Sequence, residues 1–452
     1  VLARDPRAAT LVIVDSAGNV VMTILTREIN ADFTHHADVA RAAGVPLISN
    51  AGLSVFGFML AGDGFILTNS DARELLGAHA RNTDVLRPYV KGKDLTSRPV
   101  ARWVVDFALR SEADARAYPT AFDIVRDRVK PFRDANAQAT RAKFWWRFGR
   151  PNYELRSATQ DLWRFLATTE TAKYRVFQFV GGTVAPDHMV VTICIEDAFP
   201  LGVLSSSAHG TWALAAGGTL EDRPRYNKTL CFDPFPFPDP PPALRAQIGE
   251  VAEKLDAHRK AAIERDEVVT MTGMYNVVEK LKSGDALTPK ERKIHEIAAC
   301  GVLKDLHDEL DALVAKAYGW EWPLEKDVIL ERLVALHDER VKEEKAGTVR
   351  WLRPDYQISR FGKDLPAAEA ALGLTDAAPA AAKKAKRPTW PADVISQIGA
   401  IKRLVADEAL SAEDLAARFT GAKADIVRRH LDILLVMGEV LQNPDGRYQG
   451  AA

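Results

Sequence analysis

Cys231-Phe232-Asp233-Pro234-Phe235-Pro236-Phe237-Pro238-Asp239-Pro240-Pro241-Pro242 divides this chain into two textures. Alternating prolines fix φ and remove backbone donors, so the stretch cannot form a helix and reads as an extended, polyproline-like connector. Before it, residues 38–240 hold short strand-like runs, many Gly and Pro turns and most of the aromatic side chains, a pattern that predicts an irregular mixed α/β module. After it, Leu244, Ile248, Val251 and Leu255 recur at helical spacing and predict one long amphipathic helix. Thr288-Pro289-Lys290-Glu291 then joins an N-cap, a proline at the first helical position and a capping-box glutamate. Ile294, Ile297, Leu303, Leu306, Leu310 and Leu313 follow along one apolar face, so residues 241–375 are expected to form a helical domain.

The flanks complete an α+β organisation. Leu11-Val12-Ile13-Val14 and Val20-Val21-Met22-Thr23-Ile24-Leu25, separated by Ser16-Ala17-Gly18-Asn19, read as a hairpin. A lone hairpin buries too little to stand alone, so residues 1–37 are expected to be the remnant of a larger sheet. The chain opens with Val1 rather than Met, and the expectation is that further sequence precedes it. Residues 376–389 are an Ala/Lys linker without apolar periodicity. Residues 390–452 hold three short helical patterns, the second capped by Ser411 with Asp414 three residues on. Glu439-Val440-Leu441-Gln442, a turn at Asn443-Pro444-Asp445-Gly446 and Arg447-Tyr448-Gln449 follow them. Three helices and a small hairpin predict a winged helix-turn-helix.

The formal net charge of -1 conceals a segregation. Residues 81–175 carry 20 Lys and Arg against 11 Asp and Glu, whereas the rest of the chain carries 40 against 50. A cationic block inside an anionic chain points to a polyanion partner. Within it, Arg141-Ala142-Lys143-Phe144-Trp145-Trp146-Arg147-Phe148-Gly149-Arg150 interleaves cations with aromatic rings. Nucleic-acid grooves use this mixture, with cations on phosphates and flat rings on bases or sugars. Arg141, Lys143, Arg147, Arg150, Lys173 and Arg175 are therefore candidate DNA contacts, and Trp145 and Trp146 either stack on DNA or plug the core. Arg223-Pro224-Arg225-Tyr226-Asn227-Lys228-Thr229 offers a fork-shaped Arg225, an Asn227 able to read an adenine edge, a Lys228 for phosphate and a Tyr226 for stacking. Lys91 and Lys93 flank Gly92, where the backbone could come close to a phosphate. In the C-terminal module Lys423, Arg428 and Arg429 lie on the third helix, but its seven basic residues face nine acidic ones, leaving DNA reading and protein docking equally open.

No catalytic or metal-binding constellation emerges. A phosphate-cradling Gly-rich loop is missing, and Gly62-Asp63-Gly64 reads as a turn. His35-His36 read as a loop pair, and Ser205-Ser206-Ser207 with His209 lack a nucleophile elbow. Three dispersed cysteines (Cys194, Cys231, Cys300) suit a reducing cytoplasm, and no apolar run approaches the roughly 20 residues that would span a bilayer.

Several motifs together resemble the target-recognition region of MmeI-like (type IIL) adenine-specific DNA methyltransferases. They are Ile48-Ser49-Asn50-Ala51-Gly52-Leu53-Ser54 with Gly57-Phe58, Arg87-Pro88-Tyr89 leading to Gly92-Lys93-Asp94-Leu95, and Thr169-Glu170-Thr171-Ala172-Lys173-Tyr174-Arg175. Leu201-Gly202-Val203-Leu204, His209 with Trp212, and Arg225-Tyr226-Asn227-Lys228-Thr229 belong to the same pattern, as do Tyr275-Asn276-Val277-Val278 and Tyr318-Gly319-Trp320 in the helical part. The resemblance spans roughly residues 29–357. It implies double-stranded DNA as partner, S-adenosylmethionine as cofactor of the intact enzyme, and a catalytic methyltransferase domain upstream in the same or a separate chain. That domain's Asn-Pro-Pro-(Phe/Tyr) motif does not occur, since Asn443-Pro444 lies in the wing turn. The chain alone is thus expected to bind no cofactor and transfer no methyl group. The rival expectation is a stand-alone DNA-binding or docking protein.

Overall fold

The computed structural model describes residues 9–14, 20–26, 37–135, 139–220, 223–362, 390–391, 394–436, 439–443 and 447–450. The 376–389 linker, His35-His36 and the turns at 16–19 and 444–446 lie outside them.

The chain divides into two compact units, Val1–Ala108 with Arg150–Glu369, and Leu109–Gly149 with Ala370–Ala452. In the first, β1 (Ala9–Val14) and β2 (Val20–Thr26) pair antiparallel as anticipated, with Leu11 opposite Ile24. The recognition module then contributes β3 (Ser54–Phe56), β4 (Ile66–Thr68), β5 (Leu86–Val90), β6 (Arg102–Val105), β7 (Arg164–Thr169), β8 (Gln178–Gly181), β9 (Ala185–Pro186) and β10 (Val190–Ile193). Two four-stranded sheets result, in the orders β3-β10-β7-β8 and β4-β6-β5-β9. The first is antiparallel throughout, and only the β5–β9 pair is parallel in the second. β9 and β10 are consecutive in sequence but belong to different sheets, so the turn at 187–189 ties the sheets together. Gly57 is required at this junction, because a Cβ there would lie 2.1 Å from the Asp187 carbonyl oxygen. A further short pair, β11 (Thr219–Leu220) and β12 (Arg223–Pro224), precedes the 231–242 stretch.

That stretch is no exposed connector. Phe232, Phe235 and Phe237 are buried, with ring centroids of Phe235 and Phe237 5.1 Å apart, in one hydrophobic core that runs from Val39 to Val334. The prolines exclude regular structure as expected, and the alternating phenylalanines bury it. The border anticipated at 240 therefore does not divide the core. The helix Pro242–Arg265 turns Leu244, Ile248, Val251 and Leu255 inward. Thr288 caps Pro289–Ala298 through the anticipated box, accepting from the Glu291 amide at 3.3 Å while Glu291 accepts from the Thr288 amide at 2.8 Å. The apolar face beyond is broken at Ala299 (φ 45°), and a separate helix, Cys300–Ala317, takes over.

The second unit contains Glu112–Ala115, Pro119–Asp134 and Ala139–Lys143 from inside the recognition module. It also contains Val394–Asp407, Ala412–Ala417 and Ala424–Val436, followed by β13 (Val440–Gln442) and β14 (Tyr448–Gly450), which pair antiparallel. Ile401, Val405, Leu415, Val427, Leu431 and Tyr448 are buried there, and Ser411 and Asp414 form the expected capping box. No helix among the described residues is long and apolar enough to cross a membrane.

Candidate nucleic-acid interface

The 187–189 turn is held from three sides. The Tyr89 hydroxyl donates to Asp187 Oδ2 at 2.6 Å, the Asp187 amide donates to the Val90 carbonyl at 2.8 Å, and the Met189 amide donates to Asp187 Oδ1 at 3.0 Å. On one side of this turn Lys91 and Lys93 continue from β5. On the other, the Glu170 amide donates to the Met189 carbonyl at 2.9 Å and places the end of β7 alongside. Glu170 in turn accepts from Arg225, with a 2.7 Å bond to Nε, and Thr171 forms a backbone bridge with Arg225. One row of loops thus carries Lys91, Lys93, His188, Met189, Lys173, Arg223 and Arg225 at the surface. His188 and Met189 were not singled out as contacts from sequence, because nothing local marks a short turn between two sheets, and Arg223 was quoted there only as part of the 223–229 stretch.

The lysines of this row are held loosely. Lys93 and Lys173 are exposed, Lys173 reaches Asn276 Oδ1 at 2.7 Å, and Lys91 lies 4.0 Å from the exposed Asp63 carboxylate. Glu170, whose side chain is only 12% exposed, orients the Arg225 fork while leaving it at the surface. Such an arrangement can meet phosphates with ammonium groups and offer a planar guanidinium to a base edge. Gly92 opens the helix Gly92–Thr96, where Asp94 Oδ2 accepts from the Lys91 amide at 2.8 Å. A Cβ on Gly92 would make only ordinary contact with Thr169, so a close backbone approach to phosphate is not what places glycine there.

Several candidates belong elsewhere. Trp145 and Trp146 are each 5% exposed, packed edge-on against each other and, through Trp145, against Phe122. The stacking expectation for them is corrected to a core role. Arg147 is buried too, its guanidinium donating to the carbonyls of Leu109 (2.9 Å) and Arg110 (2.8 Å). It anchors a loop and is not placed to meet phosphate. Arg141 is half-buried and Lys143 exposed in that same unit, whereas Arg150 is exposed in the first unit, its amide donating to the Met59 carbonyl at 3.1 Å. Tyr226 is fully buried and cannot stack on a base. Asn227 spends its side-chain oxygen capping the helix Lys228–Cys231, accepting from the Thr229 amide at 3.2 Å, and Lys228 pairs with Asp233 at 3.6 Å. Arg428 pairs with Glu413, Lys423 is exposed, and the Arg429 side chain lies outside the described residues.

Arg175 is likewise turned inward. It donates to the Thr169 carbonyl and, at 3.3 Å, to the Pro224 carbonyl, and its guanidinium lies 4.8 Å from the Tyr226 ring centroid. Burial pulls it down to about 10, still cationic at neutral pH. His209 Nε2 meets the Tyr226 hydroxyl at 3.0 Å, and burial together with Arg175 pushes that imidazole down to about 3, so it is neutral. Ser207 Oγ donates to Asp311 at 2.5 Å, and burial raises the thiols of Cys194 and Cys231 to about 12 and of Cys300 to about 11. These groups serve packing and capping.

Asp106 directly follows β6, its amide donating to the Val85 carbonyl at 2.7 Å. Burial raises its pKa, but Arg156 (2.7 Å) and then Arg87 (3.3 Å) outweigh that and bring it down to about 2. Because the folded-state value is depressed, the stabilisation is fully present above the ordinary value of 3.8 and is lost as pH falls through about 2. A shift of this size corresponds to about 2 kcal/mol. Asp106→Asn is expected to cost about 3 kcal/mol at pH 7, because it leaves two arginines without their carboxylate. Urea unfolding at pH 7 and near pH 2 checks this, and a gap between variant and parent that stays constant across that range contradicts it.

The comparisons with known proteins meet this geometry. Residues 45–239 match the family model described as MmeI, target recognition domain. That segment is similar to the target recognition domain of this family. Both four-stranded sheets and the whole row of surface cations fall inside the matched target recognition domain. A curated relative, DNA methyltransferase A of Bacillus subtilis (strain 168), is 26% identical over 192 residues, which cover 39% of this chain. The match spans about a fifth of that relative's length, 19%. Among solved structures, the type IIL restriction-modification enzyme MmeI in complex with DNA superposes with a TM-score of 0.52 at 20% identity. It covers 72% of this chain and 40% of the MmeI chain, and shows a shared fold.

Proposed function

We propose that this chain is the DNA-sequence-recognition part of an S-adenosylmethionine-dependent, adenine-N6 DNA methyltransferase of a restriction-modification or phage-defence system. The observation that carries the reading is the coincidence of the target recognition domain match with the row of surface cations on its loops. Methylating an adenine within a duplex requires the base to leave the stack, so a separate surface must grip the flanking DNA and read it. Lys91, Lys93 and Lys173 supply phosphate contacts in this scheme, and Arg225 faces a base edge. Arg150 extends the grip past the Met59 loop. The catalytic methyltransferase domain is the partner that the reading requires.

In this reading S-adenosylmethionine is held by the catalytic domain and not by this chain. In the N-terminal part β1 pairs antiparallel with the next strand, β2, whereas a nucleotide-type cofactor cradle needs a strand that leads into a helix N-terminus. We assign no methyl-transfer step to this chain. The C-terminal order of three helices and a hairpin, closed by the Leu410–Tyr448 bridge, fits a winged helix-turn-helix. Its Lys402, Arg418 and Arg428 are paired with Glu439, Glu408 and Glu413, which favours docking over DNA reading for that module.

The test is direct. The purified chain should bind duplex DNA yet incorporate no labelled methyl group from S-adenosylmethionine, and calorimetry should show no heat of cofactor binding. Methyl transfer by the chain alone would overturn the division of labour, and failure to bind any duplex would overturn the recognition role.

A further inference from the structure

Arg175 occupies a place that the recognition role alone does not explain. It has no carboxylate partner among the described residues, is turned away from the surface row, and joins two separate loops. One end donates to the Thr169 carbonyl and to Thr168 Oγ1 (3.3 Å) at the end of β7, and the other to the Pro224 carbonyl in β12. Its charge lies over the face of Tyr226, whose amide donates to the Glu170 carbonyl at 2.6 Å and whose hydroxyl meets His209. His209 is itself packed edge-on against Phe235 at 4.4 Å, inside the main core. A continuous path therefore runs from the core through His209, Tyr226 and Arg175 to the two loops that carry Lys173, Arg223 and Arg225.

We infer that Arg175, backed by Tyr226 and His209, is a positioning residue that fixes the 223–228 segment against the end of β7 for reading duplex DNA, and that it does not itself contact phosphate. The inference rests on the recognition role proposed above. A guanidinium suits this task because its planar fork can donate to carbonyls on both loops while its face meets the tyrosine ring. Removing it leaves the surface cations and the Glu170–Arg225 pair in place but loosens the backbone of the 223–228 segment that carries Arg225, and sequence discrimination depends on that placement more than total affinity does.

The full chain with a random-sequence duplex library and a set of salt concentrations separates the possibilities. Arg175→Gln removes the charge, and Tyr226→Phe removes only the hydroxyl that His209 meets. For Arg175→Gln, enrichment of the preferred duplex over bulk library should fall about tenfold, the size of one lost base contact. The salt slope of binding should stay unchanged, whereas loss of a phosphate contact would reduce it by about 1. Tyr226→Phe, the milder change, should lower enrichment in the same direction with melting temperature close to that of the parent, and it decides the matter if Arg175→Gln does not fold. A reduced slope with enrichment retained makes Arg175 a phosphate contact and overturns the inference, as does unchanged enrichment in the folded variants. Absence of any duplex preference in the unsubstituted chain strikes the recognition role first, and the inference with it.

Discussion

A chain ending at Asp239 should lose its cooperative thermal transition, although the whole matched recognition domain would still be present. The reason lies in what the removed helices cover. Ile248, Val251, Ala252, Leu255 and Ile263 of Pro242–Arg265 are buried in the same core as Phe199, Leu201 and Val203. The helix comes so close to Ala198–Ser205 that a Cβ on Gly202 would lie 2.5 Å from Ile248 Cγ2. Exposing a buried Val, Leu or Ile side chain costs about 1.5–3 kcal/mol, so the four larger of these positions alone approach the 5–15 kcal/mol that is the usual stability of a whole domain. Polar ties fail along with them. Glu344 accepts from the amides of Ile48 (2.7 Å) and Ser49 (2.8 Å), and Gln357 donates to the carbonyls of Ser49 (2.9 Å) and Ala51 (3.0 Å). The Ile48-Ser49-Asn50 motif is thus held from residues some 300 positions later, while Asn50 holds the carbonyls of Phe232, Asp233 and Phe235. Differential scanning calorimetry with far-ultraviolet circular dichroism checks the prediction. A cooperative melt of the truncated chain near that of the parent would show that the recognition domain has an independent core.

What sequence made legible follows the range of the interactions involved. The β1–β2 pairing, the Thr288 and Ser411 caps and the Leu244-to-Leu255 stripe are signalled by neighbours within a few residues, and the structure has them where expected. The 231–242 stretch misleads because proline forbids regular structure locally, while the burial of Phe232 and Phe235 depends on helices far away. Likewise Ala299 breaks a helix whose apolar periodicity continues unbroken through it. Charge misleads in a related way. Arg133 and Arg147 count toward the basic block in sequence yet are buried in the fold, Arg147 donating to backbone carbonyls. The alternation of rings and cations at 141–150 is what a groove would use and equally what a core with arginine-capped carbonyls would use. Only the positions that the fold leaves in solvent separate the two.

Those positions set the second large effect. Duplex binding by the full chain should weaken steeply with salt, and the steepness should reside in the row beside the 187–189 turn. With about four cations on phosphates, the slope of log K against log salt is about −3.6, a loss of roughly 150-fold between 50 and 200 mM. Replacing Lys91, Lys93 and Lys173 together by Ala should bring the slope to about −1. Folding should be nearly untouched, since Lys91 makes only a loose 4.0 Å pair, Lys173 bonds to Asn276 at the surface, and Lys93 is exposed. Exposed pairs of this kind contribute about 0–1 kcal/mol. Arg147→Ala is the instructive contrast. It removes the Arg147 donors from the Leu109 and Arg110 carbonyls, leaving the Arg110 carbonyl its 3.0 Å bond from Trp146 Nε1, so it should lower the melting temperature while leaving the salt slope of the folded fraction where it was. Fluorescence anisotropy across a salt series, paired with a melt of each variant, measures both quantities. A triple-lysine variant that keeps the parental slope would move the phosphate track off these loops, with Arg150 and the exposed Lys143 as the next cations to test.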